Sequence, residues 1–186
     1  MSSKKRKVRE RATLKSRDLQ GFIDEFQKES DRATAILGAA LLDENLFQLL
    51  SRFLVDDKKQ VDLLLDTEQP IGSFGARIRL AYCLGLITLN TFKALMIIKG
   101  IRNAFAHQLH GLSFSDPDIV KEVDKLRSLQ PQHDFMKWNG RAEYLCSTLS
   151  AQMDLSSSTM SVDARQRRCK VPEWKTLVAW KRGETT

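Results

Sequence analysis

Cysteine is scarce in this 186-residue sequence, and the three present, Cys83, Cys146 and Cys169, stand far apart. With no Cys-x-x-Cys pair and no Cys/His cluster, neither a disulfide framework nor a zinc site is expected. Long apolar runs are missing too: none reaches the roughly 18 to 20 residues that a membrane span needs. The basic start Lys4-Lys5-Arg6-Lys7 runs into charged sequence rather than an apolar core, unlike a secretory signal. The reading is a cytoplasmic protein with no membrane partner. Strand-period alternation of useful length and internal repeats are absent as well, which leaves the all-α class. The glycine-bearing stretch Ile71-Gly72-Ser73-Phe74-Gly75 lacks the lysine of a phosphate loop and any preceding strand, so it reads as a tight connection.

What is present is ordinary in amount and uneven in distribution. Apolar residues make up 42% and charged residues 28%, enough for one domain with a real core. The net charge is +7, yet residues 1–17 alone carry eight Lys/Arg against one Glu, and residues 163–186 carry seven against three acids. A mildly acidic body therefore bears two basic tails. Lys4, Lys5, Arg6, Lys7, Arg9 and Arg11 in the first tail, and Arg165, Arg167, Arg168 and Lys170 in the second, are the residue types that contact a polyanion. Trp174, just beyond, suits base stacking on a single strand or docking on the helical body.

Between the tails the apolar spacing predicts a compact bundle of about six helices. Asp18 opens a short one with Leu19, Phe22, Ile23 and Phe26 on one face. A long central helix runs from about Ser30 to Val55, with a stripe of Ala33, Ile36, Leu37, Ala40, Leu41, Phe47, Leu50 and Leu54, widened by Leu46, Leu49 and Phe53. Gly38-Ala39-Ala40 within it admits a close neighbour. Residues 56–72 read as a connection with one helical turn near Val61 to Leu65. Ser73 caps a helix through Leu84 that turns Arg77 and Arg79 outward, and Gly85 stops it. Thr88 caps the next, built on Phe92, Leu95, Ile98, Ile101 and Phe105, with Gly111 as terminator. Ser115-Asp116-Pro117 starts another, faced by Ile119, Val120, Val123 and Leu126. A last core helix spans Asn139 to Met153 with Ala142, Leu145, Leu149 and Met153 inward. Ser156-Ser157-Ser158-Thr159 then reads as a linker. The organisation is thus an arm at 1–17, a helical domain at 18–155, and a linker with a basic tail at 156–186, where Pro172 opens a short helix carrying Trp174, Leu177 and Val178.

The stretch with chemistry in it is Ile101-Arg102-Asn103-Ala104-Phe105-Ala106-His107. Arg102, Asn103 and His107 add a phosphate clamp, an amide and a proton exchanger to an apolar run. Together they have the parts to deprotonate a ribose hydroxyl and stabilise the resulting phosphorane without a metal. On an ideal helix Arg102 and His107 lie about 140° apart, however, so one chain shares them only if the helix ends at His107 and turns back. Otherwise two copies build the site, which predicts a homodimer. The structural reading is that His107 caps helix carbonyls while Arg102 pairs with Asp31 or Glu29. His107 and His110 are three apart but have no third ligand, so no metal and no cofactor are expected.

Five ordered blocks, Glu29-Ser30-Asp31-Arg32-Ala33, Ala39-Ala40-Leu41-Leu42-Asp43, Pro70 to Tyr82, Leu84-Gly85-Leu86-Ile87 and Ile101 to His107, resemble the bacterial mannitol operon repressor family. The resemblance implies a compact, self-associating helical fold and a regulator of sugar-alcohol use without a helix-turn-helix. Glu29, Asp31, Arg32, Arg77 and Arg79, which fall within these blocks, form a candidate structural or functional cluster; DNA or RNA is the partner expected of the basic tails, which lie outside the resemblance, and a regulatory protein that of the body. The Arg-Asn-x-x-x-His spacing also resembles HEPN domains, some of which are metal-independent RNases, and on that resemblance Arg102, Asn103 and His107 are the active residues.

Overall fold

The computed structural model describes Phe26, residues 28–108, 111–129 and 140–168, with side chains through Val162. Six helices account for nearly all of it: α1 Asp31–Phe53, α2 Lys58–Leu65, α3 Phe74–Cys83, α4 Leu89–His107, α5 Pro117–Ser128 and α6 Gly140–Arg168. No strand occurs among the described residues, and the fold is all-α. The arm at 1–17, most of the helix read from Asp18 and the segment after Arg168 lie outside the described residues, although Phe26 is buried in the core.

Local chemistry sets most boundaries. Ser30 Oγ accepts the Ala33 N–H, Ser73 Oγ that of Ala76 and Thr88 Oγ1 that of Thr91, each at 3.2 Å, so three helices start where a hydroxyl takes up an orphan donor. Pro117 follows Asp116 at the first turn of α5. Gly85, at φ 68°, ends α3: its N–H bonds the Tyr82 carbonyl and that of Leu86 bonds Ala81, both at 2.9 Å. The connection read at 56–72 instead holds the two-turn α2, because the Asp57 carboxylate caps it at Gln60 N–H. Helix α4 stops at His107, four residues before the expected Gly111, which lies in the following loop at φ 80°.

Helix α1 is the hub, packed on α6, α4, α3 and α2. By length and composition alone it could cross a membrane. Its burial of Leu42, Leu46, Leu49 and Leu50 among the other helices marks it as the core helix. Leu41, Leu46, Leu49 and Leu50 are buried as expected, but around Gly38 the inward face is rotated: Gly38, Ala39 and Leu42 are buried, whereas Leu37 is 42% exposed and Ala40 lies outside, as does Phe53 at the far end. Gly38 decides this, because α6 comes so close that an added Cβ would meet Tyr144 Cε1 at 3.3 Å.

Helix α6 differs most from expectation. It runs unbroken through Ser156-Ser157-Ser158-Thr159, so these residues are not a linker. Leu155 and Val162 are buried on either side of them, and the Thr159 hydroxyl donates to the Leu155 carbonyl at 2.8 Å. The buried face is also different. Tyr144, Ser147, Thr148, Ala151 and Gln152 point inward, whereas Met153 is 68% exposed. Polar residues are tolerated there because they are paired: Tyr144 donates to the Ala35 carbonyl and Thr148 to that of Tyr144, each at 2.9 Å, and Asn45 donates to Gln152. Burial pushes the Tyr144 phenol well above its usual range.

Candidate functional site

Ile98, Ile101 and Phe105 are fully buried and fix the rotation of α4 about its axis. Phe105 continues into an aromatic chain, with ring centroids 5.0 Å from Phe114, which is in turn 5.1 Å from Tyr144. The opposite faces of α4 consequently leave Arg102 and His107 exposed and Asn103 half-buried. Arg102 Nη1 donates to Asn103 Oδ1 at 3.0 Å, which ties guanidinium and amide together. His107 stays in helical register as the last residue of α4, about 140° around the axis from Arg102. A single copy therefore does not converge the two side chains.

Of the two acids expected to pair with Arg102, Asp31 is engaged elsewhere and Glu29 makes no ion pair with it. Asp31 accepts the Phe114 N–H at 2.9 Å and pairs with Arg141 at 3.4 Å, joining the starts of α1 and α6 to the loop between α4 and α5. Glu29 is half-buried, and its N–H bonds the Phe26 carbonyl at 3.4 Å. Arg32 donates to the carbonyl of Gln108, the residue that caps α4, where the helix dipole favours a cation. It is Arg32, not His107, that holds this terminus.

Arg77 and Arg79 separate. Arg79 is exposed, but Arg77, expected outward, is 5% exposed. Its Nη1 donates to Asp43 at 2.5 Å and its Nη2 to the Leu65 carbonyl at 2.7 Å, and its guanidinium lies 5.4 Å from the Phe47 ring centroid. Arg77 thus clamps α3 to α1 and to the end of α2. A planar fork with several donors can serve two acceptors at once, which is why arginine occupies the position.

Lys99 is a residue that sequence reasoning passed over. Its Nζ stands 2.8 Å from where a Gly75 Cβ would be, so the ammonium covers the first turn of α3. The available signal was spacing, since Lys99 precedes Arg102 by one helical turn. Lys99 thus stands at the start of α3 and Arg32 at the end of α4, and Arg102 is exposed on α4. Among the described residues no set of three His, Cys, Asp or Glu side chains is placed to hold a metal, and His110 lies outside them. Of the basic residues assigned to a polyanion, Arg165, Arg167 and Arg168 fall in the last turns of α6, whereas Lys4, Lys5, Arg6, Lys7, Arg9, Arg11, Lys170 and Trp174 lie outside the described residues.

Residues 25–161 match the family described as mannitol repressor. The chain belongs to that family. Two solved structures share the fold of this mannitol repressor family member. One is MtlR of Escherichia coli, from a structure of the MtlR-HPr complex: 20% identity, TM-score 0.51, covering 77% of this chain and 99% of that one. The other is a possible transcriptional regulator, YggD, from Shigella flexneri: 16% identity, TM-score 0.57, covering 78% and 98%. A search of curated proteins finds no match.

Proposed function

We propose that this chain is a cytoplasmic, bacterial transcriptional regulator that acts by binding: its helical body engages a regulatory protein, and its basic tails contact nucleic acid. The observation that carries this reading is the family match across residues 25–161, which covers the described bundle except the end of α6. Support for a protein partner comes from the E. coli relative, whose structure is that of a complex with HPr. Support for nucleic acid comes from the eight Lys/Arg of residues 1–17 and the seven of residues 163–186.

Fluorescence anisotropy of a labelled duplex over rising salt tests the nucleic-acid half. Log K should fall with log salt by roughly 0.9 per phosphate contacted, and less steeply after deletion of residues 1–17. A flat salt dependence, or one that the deletion leaves unchanged, removes the tails from the interface. Co-sedimentation with purified HPr of the same bacterium tests the protein half, and also reports whether the chain is a homodimer.

The alternative is a HEPN-type RNase. The exposure of Arg102 and His107 and the Arg102–Asn103 hydrogen bond favour it, and it requires a second copy to bring Arg102 opposite His107. Cleavage of a mixed-sequence RNA in EDTA, abolished by His107→Ala with helicity intact, is its expected result. RNA left uncut by the unaltered protein eliminates it.

A further inference from the structure

One end of the bundle gathers exposed apolar groups from several elements. Ala35 with Tyr144 and Asn45 with Gln152 set α1 and α6 parallel; Thr91 with Asp154 sets α4 against both. Tyr82 stacks on Phe92 at 4.6 Å and joins the end of α3 to the start of α4. These pairings gather the end of α1, the α3–α4 turn, the start of α4 and the part of α6 beyond Asp154. Around them stand Phe53 (39% exposed), Val55 (71%), Tyr82 (37%), Leu84 (37%), Leu89 (48%) and Met160 (65%). They come from four segments, so no single helix face accounts for them. Exposed Arg52, Asp56, Asp57, Lys58 and Lys59 flank Phe53 and Val55 and give these apolar groups a charged edge. Apolar groups concentrated at one place on a surface mark a contact.

Helix α6 leads to the occupant. It passes the apolar end, buries Val162 there as its last described side chain in the core, and continues to Arg168. From Val162 to Arg168 the helix rises about 9 Å. Returning that distance takes roughly three extended residues, and Cys169, Lys170 and Val171 are available before Pro172. Trp174, Leu177 and Val178 then follow at intervals of three and four, one apolar helical face, with Trp180 at its edge. We infer that residues 172–180 fold back and dock this face on the apolar end formed by Phe53, Val55, Tyr82, Leu84 and Leu89. Because the segment is tethered, docking is intramolecular and occurs at a high effective concentration.

Tryptophan fluorescence in the full chain tests this. Trp138→Phe leaves Trp174 and Trp180 as the only indoles. Their emission should lie to the blue of N-acetyltryptophanamide, with acrylamide quenching reduced, at every protein concentration. Leu89→Glu combined with Val55→Glu should shift the emission to the red and restore quenching while far-UV circular dichroism is unchanged. Leu89 opens α4, where a carboxylate suits the helix dipole. The same pair of substitutions in the unaltered tryptophan background gives the difference directly if Trp138→Phe does not fold. Three results overturn the inference: quenching equal to the free indole from the start, shielding that survives the Glu substitutions, and shielding lost on dilution, which would assign the surface to a second copy.

Discussion

Arg77→Ala should be among the most damaging substitutions a charged residue of this fold can suffer. The guanidinium is 5% exposed and serves two acceptors on different elements, Asp43 of α1 at 2.5 Å and the Leu65 carbonyl at the end of α2 at 2.7 Å. Alanine leaves both without their donor and opens a void beside Phe47. Breaking a buried ion pair by removing one partner costs roughly 3 to 5 kcal/mol. The Asp43 side chain keeps 31% of its surface in water, so the lower figure applies, about 3 kcal/mol. For a domain of this size that corresponds to a fall in Tm of roughly 6 to 12 °C. Urea unfolding followed by far-UV circular dichroism gives the loss, with Arg79→Ala as an exposed control expected within about 0.5 kcal/mol. Arg77→Lys should recover little, because one ammonium lacks the fork that reaches both acceptors. A loss below about 1 kcal/mol for Arg77→Ala, in the range of a surface pair, would refute the clamp.

Gly38→Val should destabilise by about 1 to 3 kcal/mol by overpacking α1 against Tyr144 and Thr148, read by the same unfolding curves, whereas a neutral result would mean that α6 can retreat. Ser157→Pro should cost about 3 kcal/mol or more in thermal unfolding, since it breaks a continuous α6; a linker would accept it. Tyr144 gives a pH signature. Its folded pKa is raised by burial, so the unfolded phenol ionises first, and the stability this provides is complete below the unfolded value of about 10 and declines as pH rises beyond it. Denaturation midpoints taken across that alkaline range should fall for the unaltered protein. In Tyr144→Phe the slope should be smaller, with a lower starting stability from loss of the bond to the Ala35 carbonyl, about 1 kcal/mol.

The sequence by itself determined the local events of this fold: Ser73 and Thr88 as caps, Ser30 as the approximate start of α1, Pro117 as an opening, Gly85 as a stop, the apolar row of α4, and that of α5 apart from the exposed Val120. Each depends on groups within a few residues, where hydrogen-bond chemistry and helical periodicity act without help from distant chain. It also held the ordered blocks that resemble the mannitol repressor family, whose match then covered residues 25–161. The tertiary structure alone decided which way α1 and α6 face. The choice was made by the missing Cβ of Gly38, by the pairing of Gln152 with Asn45 and by Tyr144 reaching the Ala35 carbonyl, partners roughly 100 residues apart in the chain. Those same contacts kept Ser156 to Thr159 helical against their composition, since burying Leu155 and Val162 outweighs the weak helix preference of serine and threonine. Arg77 and Arg79 were indistinguishable by residue type; only the positions of Asp43 and Leu65 made one of them a buried clamp and left the other in water.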